Sequence, residues 1–570
     1  MENTSPQPEG LLSIVRAHWV AVLVAVVFGI LLAGPFILVA TNESFTGVYP
    51  ELANDQNFYL SRIQDVRDGF PMSGNTYIAE DKEVPPMNFL TGEFVEAKIL
   101  DLFGLPTHAS LILFPLLFGP IIFLLTYAIY ISLGASRFWG LIGTLWLIGP
   151  AFFEFARPVS PQFNFIFWLI AALVMIWFVK NRTWLWAGGV AVSVGVLFYL
   201  YPYYWTHLFA AYGLLFLWLL FKDRATAIKV FAAGVGATLI GIPYGMLALS
   251  VRTLPEFEES MSRLGFVETH MPSGILMLLG SGFLLAVIMF IAYRLKKADA
   301  ALTASVVLLF GALIAMNQHV ITGINMEFSS HYKMQIAFSN LFLACAALSC
   351  FSFWHRLESA RVKSVAFILI LLVFIPAVAS AYIYAEKQLG EGALHREHGM
   401  LVSWLTENAR PGESVYAPEL VAIFIPAYTA QNVFYGRNAN IAFMPDTEVI
   451  DRFIVQNFRA DLTPEYIAEH EREVLGHGSI NANSHALQKQ KLLGLFGIEV
   501  DVPKRVPDDA IARIKERGEA VRSMPFVKAL LPYKVDYFIL ERGKENQITP
   551  EDIAFAKPVF ETEHFILYSL

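Results

Sequence analysis

The sequence predicts a mainly α-helical, polytopic membrane domain of about eleven spans, with interfacial helices in the first outer loop and a C-terminal extracytoplasmic α/β domain. Three observations predict it. The 570 residues are 56% hydrophobic and 16% charged, where soluble domains carry nearer a quarter charged residues. Successive apolar runs approach or exceed the ~20 residues that cross a bilayer. Beyond residue 385 the charge density rises and the runs stop, which divides the chain into 1–385 and 386–570.

The runs lie at 19–40, 108–133, 138–153, 163–179, 183–200, 204–221, 230–250, 274–293, 300–318, 334–353 and 364–384. The first, Trp19 to Ala40, is too long for a signal-peptide core and reads as a retained anchor. With the N-terminus inside, every second junction is cytoplasmic. Those junctions carry Arg137; Lys180 and Arg182; Lys222, Arg224 and Lys229; Arg294, Lys296 and Lys297; Arg356, Arg361 and Lys363. The alternate junctions are acidic, as at Glu256, Glu258 and Glu259. This positive-inside bias predicts a cytoplasmic N-terminus, an odd number of spans and an outer C-terminal domain. The long segments 41–107, 251–273 and the tail then share the outer face, where a working site is expected.

Other classes fit less well. The net charge is −8 and no basic stripe offers a nucleic-acid surface. Cys345 and Cys350 share one apolar run, so they give neither a disulfide framework nor a metal motif. No charged residue falls clearly in mid-span and no repeat relates the two halves, which argues against a transporter.

In the first outer loop, Tyr59, Ile63, Val66 and Phe70 recur at helical spacing, with Arg62, Asp65 and Arg67 opposite. The pattern predicts a helix lying in the membrane interface, apolar face down, ended by Gly69 and Pro71. A second amphipathic run carries Val95, Ile99 and Leu102. Asp55 heads the first helix, where an acidic side chain caps backbone N–H groups. That role and a chemical one do not exclude each other. In the tail, strands are expected at Ser414–Ala417, Val433–Tyr435, Tyr537–Leu540 and Phe560–Tyr568. Helices are expected around Gly399–Ala409, Thr447–Phe458, Thr463–Leu475 and Pro507–Ala520, an alternation typical of an α/β domain.

The stretch Asn54-Asp55-Gln56 through Asp68-Gly69 resembles the first outer loop of GT-C glycosyltransferases, and of a bacterial branch of that superfamily in particular. Further resemblance lies in Arg157-Pro158-Val159-Ser160-Pro161-Gln162, in Asn317 to Gly323 with His331-Tyr332, and in Ile425 to Thr429 with Phe434-Tyr435-Gly436. The usual acidic pair stands here as Asp55 followed by Gln56, so only Asp55 is carried over. The resemblance implies a plasma-membrane enzyme of cell-envelope polysaccharide biosynthesis. It would move a sugar, with inversion, from a polyprenyl-phosphate donor to a glycan, lipid or protein acceptor, with Asp55 as general base.

Cationic and hydrogen-bonding groups would stabilise the departing phosphate: Arg157, Arg252, His319, His331 and Lys333. Tyr59, Arg62 and Gln318 are candidates for substrate contact. Each has a plainer alternative. Arg157 can pair with Glu154 at i−3, Arg252 can snorkel at a span end, and the histidines can be structural. Tyr199, Tyr201, Tyr203, Tyr204 and Trp205 read as an interfacial aromatic belt. For cofactors two alternatives stand: none, or a divalent cation. Asp55, Glu80, Asp81 and the histidines could ligate one, although no spacing matches a metal motif. In the tail, Asp446, Glu448, Arg452 and Arg437-Asn438 either face the site or form solvated surface. The rival functions are a flippase for lipid-linked saccharide and a membrane-anchored polysaccharide assembly protein.

Overall fold

The computed structural model describes residues 11–327, 329–390 and 392–570. All eleven apolar runs become helical, but not all become straight spans. Nine helices among the described residues are long and apolar enough to cross a membrane: Trp19–Ala40, Thr107–Ser132, Arg137–Ala156, Asn164–Asn181, Pro202–Lys222, Ile275–Leu295, Ala300–Thr322, Ser330–Cys350 and Ala360–Leu389. The run at 230–250 becomes a pair, Arg224–Ile240 and Ile242–Val251, bent by 51°. Pro243 in the first turn of the second helix accounts for the break. Gly241 lies there against the Phe198 ring, where a Cβ would approach within 2.7 Å. The run at 183–200 becomes a 14-residue helix, Trp184–Leu197, about 21 Å long and short of a full crossing.

Asn164–Asn181 and Ala300–Thr322 are the most enclosed of these helices, whereas Ile275–Leu295 and Ala360–Leu389 expose most of their surface. His207 is fully buried in the bundle. Its ring bonds Trp168 Nε1 at 3.1 Å and the Leu308 carbonyl at 2.8 Å. Both nitrogens are used within the packing, as buried polar groups require.

Strands β1 (Val267–Glu268) and β2 (Ile324–Asn325) pair antiparallel and tie two loops together. The C-terminal domain holds β3 (Ser414–Tyr416), β4 (Asn432–Val433), β5 (Tyr537–Glu541), β6 (Lys557–Glu561) and β7 (Phe565–Ser569), in the order β4-β3-β5-β7-β6. β3 runs parallel to β4 and β5, and β7 antiparallel to β5 and β6. The single strand expected over 560–568 is thus a hairpin, because Thr562 turns the chain back with bonds to Phe565. The helices expected in the tail form at Gly392–Asn408, Asp446–Gln456, Pro464–Glu469 with Glu471–Val474, and Asp508–Arg522. Gly478–Gly494 is an additional helix.

The loops do not simply lie under this domain; they complete it. Tyr77 and Ile78 of the first loop are buried in its core, and the Val433 N–H donates to the Tyr77 carbonyl at 2.9 Å. Arg263, on the short helix Phe257–Arg263, is 3% exposed and reaches into it. Its guanidinium donates to the carbonyls of Asn440 (3.1 Å), Ala442 (3.2 Å) and Met444, and pairs with Asp446.

This embrace changes the reading of the first-loop helix, Gln56–Arg67. It packs between Thr91–Phe103 and the Ile425–Tyr428 turn of the C-terminal domain. Covered from both sides, it buries Asn57, Ser61 and Asp65 along with Leu60, Ile63 and Val66. Asp65, expected on the polar face, is paired with Lys82 inside the protein. Phe70, expected on the apolar face, lies beyond the helix and is exposed.

Candidate functional site

Asp55 occupies the N-cap position of Gln56–Arg67, yet its side chain makes no capping bond. Its backbone is left-handed, with φ 56°, which is unfavourable for a residue with a Cβ and tolerated best by Asn and Asp. Freed from capping, the half-exposed carboxylate faces Arg157, whose Nη1 is 3.3 Å from Oδ2. The ion pair of Arg157 therefore runs to Asp55 rather than to Glu154. Arg157 also donates to the Ser160 carbonyl, and its guanidinium lies 5.8 Å from the Tyr59 ring centre. Burial opposes the Arg157 charge, but Tyr59 and Asp55 outweigh it and leave the group above its ordinary value.

Around this pair stand residues from four separate segments. The Tyr203 hydroxyl donates to Glu327 Oε2 at 3.1 Å. His331 bonds the Tyr201 hydroxyl at 2.6 Å and stacks on the Tyr203 ring at 4.5 Å. Burial pushes the Glu327 carboxyl up to about 7, with a further upward contribution from the Asp55 charge. Glu51 is also raised, mainly by burial, with Arg437 opposing and Asp55 reinforcing the shift. Arg437 and Asp55 both act on His477, so the C-terminal domain brings charge to the same place. Asn438 lies close enough to the buried Tyr77 hydroxyl to act on it. Asp55, Val159, Glu327 and Asn438 all hold positive φ; residues in such conformations gather at functional sites, each at a cost of about 1–3 kcal/mol.

The other expected residues divide. Tyr59, Arg157 and His331 meet at this site. Lys333 is exposed at the start of its helix, near enough for its charge to act on His331. Arg62 pairs with Glu93 at 3.0 Å and joins the two first-loop helices. Gln318 is used within its own loop, donating to the Ile324 carbonyl at 2.8 Å and accepting from the Thr322 hydroxyl at 2.6 Å. Arg252 is exposed, with no ion pair among the described residues. His319 is buried at a different seam, bonded to the Met271 carbonyl at 2.8 Å and 6.3 Å from the His485 ring. In the tail, Asp446 pairs with Arg263, and Arg452 is buried against Glu448 and Glu80.

Glu327 and Glu51 escaped the sequence reading. Glu327 sits four residues before His331, inside a loop whose polar density was the available signal. The residues considered for a cation do not converge. Glu80 accepts from Lys534 N at 2.7 Å and faces Arg452, and Asp81 faces Asn75. The one convergent trio of ligand side chains among the described residues, Glu397, Glu563 and His564, lies at the β6–β7 hairpin.

Glu327 gives a testable pH dependence. Its folded-state pKa lies above the ordinary 4.5, so folding binds this proton more tightly than the unfolded chain does. The associated stability is fully present below about pH 4.5 and is lost as pH rises through about 7. Parent and Glu327→Gln should diverge over that window by roughly 3 kcal/mol, read as thermal unfolding of detergent-purified protein across a pH series. Groups common to both proteins cancel; parallel curves would remove Glu327 from this role.

No protein-family model matches the chain, and no curated protein matches it. Among solved structures, the chain is similar to the crystal structure of the Archaeoglobus fulgidus oligosaccharyltransferase in complex with Zn and sulfate. Identity is 11%, the match covers 91% of this chain and 68% of that one, and the TM-score is 0.44. No residue role is carried across a likeness of that level.

Proposed function

We propose that the protein is a GT-C-type glycosyltransferase. In this reading it transfers a sugar, with inversion, from a polyprenyl-phosphate donor to a glycan, lipid or protein acceptor at the outer membrane face. The supporting observation is the accessible Asp55 carboxylate, held off its capping role and paired with Arg157, at the end of the bundle where loops and C-terminal domain meet. The first-loop resemblance points to the same residue.

The chemistry follows from that pairing. An acceptor hydroxyl or amide gives its proton to Asp55 as it attacks the anomeric carbon. The bond to the phosphate oxygen breaks, and the electron pair leaves with the carrier phosphate. Arg157, with Lys333 farther out, stabilises that charge. Glu327, titrating near neutrality, is a second proton-handling group beside them. A cleft of about 740 Å³ on the C-terminal domain, lined by Arg437, Arg472, Lys504 and Glu473 among others, shares Arg437 with this site and suits a polar acceptor.

The test is release of polyprenyl phosphate from a panel of polyprenyl-phosphate sugars, with cell-envelope acceptors, comparing the parent with Asp55→Asn. Turnover by the parent and none by the folded variant supports the reading. Binding or translocation of a labelled donor without release by either protein would replace it with the flippase reading.

A further inference from the structure

The segment that delivers Arg157 to Asp55 has an unusual backbone. Val159 is β-branched, yet it holds φ 60°, a conformation that such residues avoid most strongly. It is buried, and its carbonyl accepts the N–H groups of Phe163 and Asn164 at 2.9 Å each. Its own N–H donates to Oε1 of Glu96 at 3.0 Å. Glu96 belongs to a distant element, the helix Thr91–Phe103, and is fully buried. One turn earlier, Gly92 brings that helix so close that a Cβ would lie 2.7 Å from Val159 Cγ1 and 3.0 Å from Asn164 Oδ1.

We propose that Glu96 is a positioning residue. By accepting the Val159 N–H it holds Val159 in the left-handed conformation, and thereby keeps Arg157 aimed at Asp55. A left-handed valine needs compensation from its surroundings. A buried backbone N–H left unbonded would add its own penalty. The Ser160 N–H closes a three-residue turn over Val159 by donating to the Pro158 carbonyl at 2.7 Å, and the Glu96 oxygen anchors that turn from outside by satisfying the buried Val159 N–H. Burial drives the Glu96 carboxyl well above its ordinary range, with the Val159 N–H bond opposing and Glu93 adding to the shift; accepting that bond needs only a carbonyl-type oxygen. A neutral amide can do the same. Arg157, two residues before Val159, is further tied to the Ser160 carbonyl, so rotation at Val159 moves the guanidinium. The catalytic consequence rests on the proposed role of Asp55 and Arg157.

The experiment compares full-length parent, Glu96→Gln, Glu96→Leu, Glu96→Asp and Glu96→Leu with Val159→Gly, by cryo-electron microscopy and by donor release. Glu96→Gln is expected to keep the parental structure, kcat and pH profile. Glu96→Leu should turn Val159 out of the left-handed region, part Arg157 from Asp55, and lower kcat about a hundredfold. Glu96→Asp, one methylene too short to reach the N–H, should behave like Leu and covers the case in which Leu does not fold. Adding Val159→Gly should restore much of the loss, because glycine adopts positive φ without strain. The proposal is overturned if Glu96→Leu or Glu96→Asp leaves Arg157 on Asp55, if Gln is as impaired as Leu, or if glycine rescues nothing. If the parent itself releases no carrier phosphate, the glycosyltransferase reading fails, while the Val159 and Arg157 positions still decide the role of Glu96.

Discussion

Asp55→Asn is expected to lower turnover by roughly two to four orders of magnitude, the usual range for losing a general base, without unfolding the protein. Asparagine matches the shape of aspartate and tolerates the left-handed backbone that position 55 requires. No side-chain cap is lost, because none is made. The broken ion pair with Arg157 is half-exposed on the Asp55 side, so its contribution to stability is about 0–1 kcal/mol. A second consequence separates loss of the base from mere loss of charge. The Asp55 carboxylate raises Glu327, Glu51 and Tyr59. Removing it should move the Glu327-dependent limb of the pH profile to lower pH. Steady-state kinetics across pH on the purified pair checks both points. Equal kcat in the two proteins would make Asp55 a conformational residue only and send the search for the base to Glu327.

Arg263→Ala is expected to be the most damaging substitution for stability, at about 3–5 kcal/mol, the range for removing one partner of a buried charged network. The guanidinium is the point where the 251–273 loop enters the C-terminal domain; its loss takes the side-chain donor from the Asn440 and Ala442 carbonyls and leaves Asp446 only the more distant Arg513, at 3.8 Å. The backbone there is as tightly fitted as the side chain. His477 N donates to the Arg263 carbonyl at 2.6 Å. A Cβ at Gly476 or Gly478 would overlap the Arg263 or Ser262 carbonyl. Arg263→Lys should recover only part of the loss, since one ammonium cannot reproduce the planar fork. Thermal unfolding in detergent, with limited proteolysis of the loop, measures the effect. Unchanged unfolding and unchanged cleavage in Arg263→Ala would mean that the domain is held by the Tyr77–Ile78 contact instead.

The first-loop helix marks where periodicity stops being informative. Spacing located Gln56–Arg67 and its end at Gly69 correctly. It assigned Asp65 to an open polar face, because a one-dimensional pattern counts charges and not their partners. Lys82 and the covering domain make burial of Asp65 affordable. Arg157 and Asp55 were each visible as candidates, but as members of different loops, with nearer partners for both on offer. His319 carried the same signal as His331 and folds to a different seam.

By itself the sequence determined the apolar helices, the change of character near residue 386 and the α/β nature of the tail. All of these are written in local composition and short-range spacing, because crossing a bilayer and alternating strand with helix are requirements on contiguous residues. Only the tertiary structure decided that Glu327, Glu51 and Arg437 surround Asp55, that Glu96 supports the Arg157 segment, and that the first loop completes the core of the C-terminal domain. Those arrangements depend on contacts between residues far apart in the chain. Their energetics turn on burial and partner geometry, which no local pattern of residues encodes.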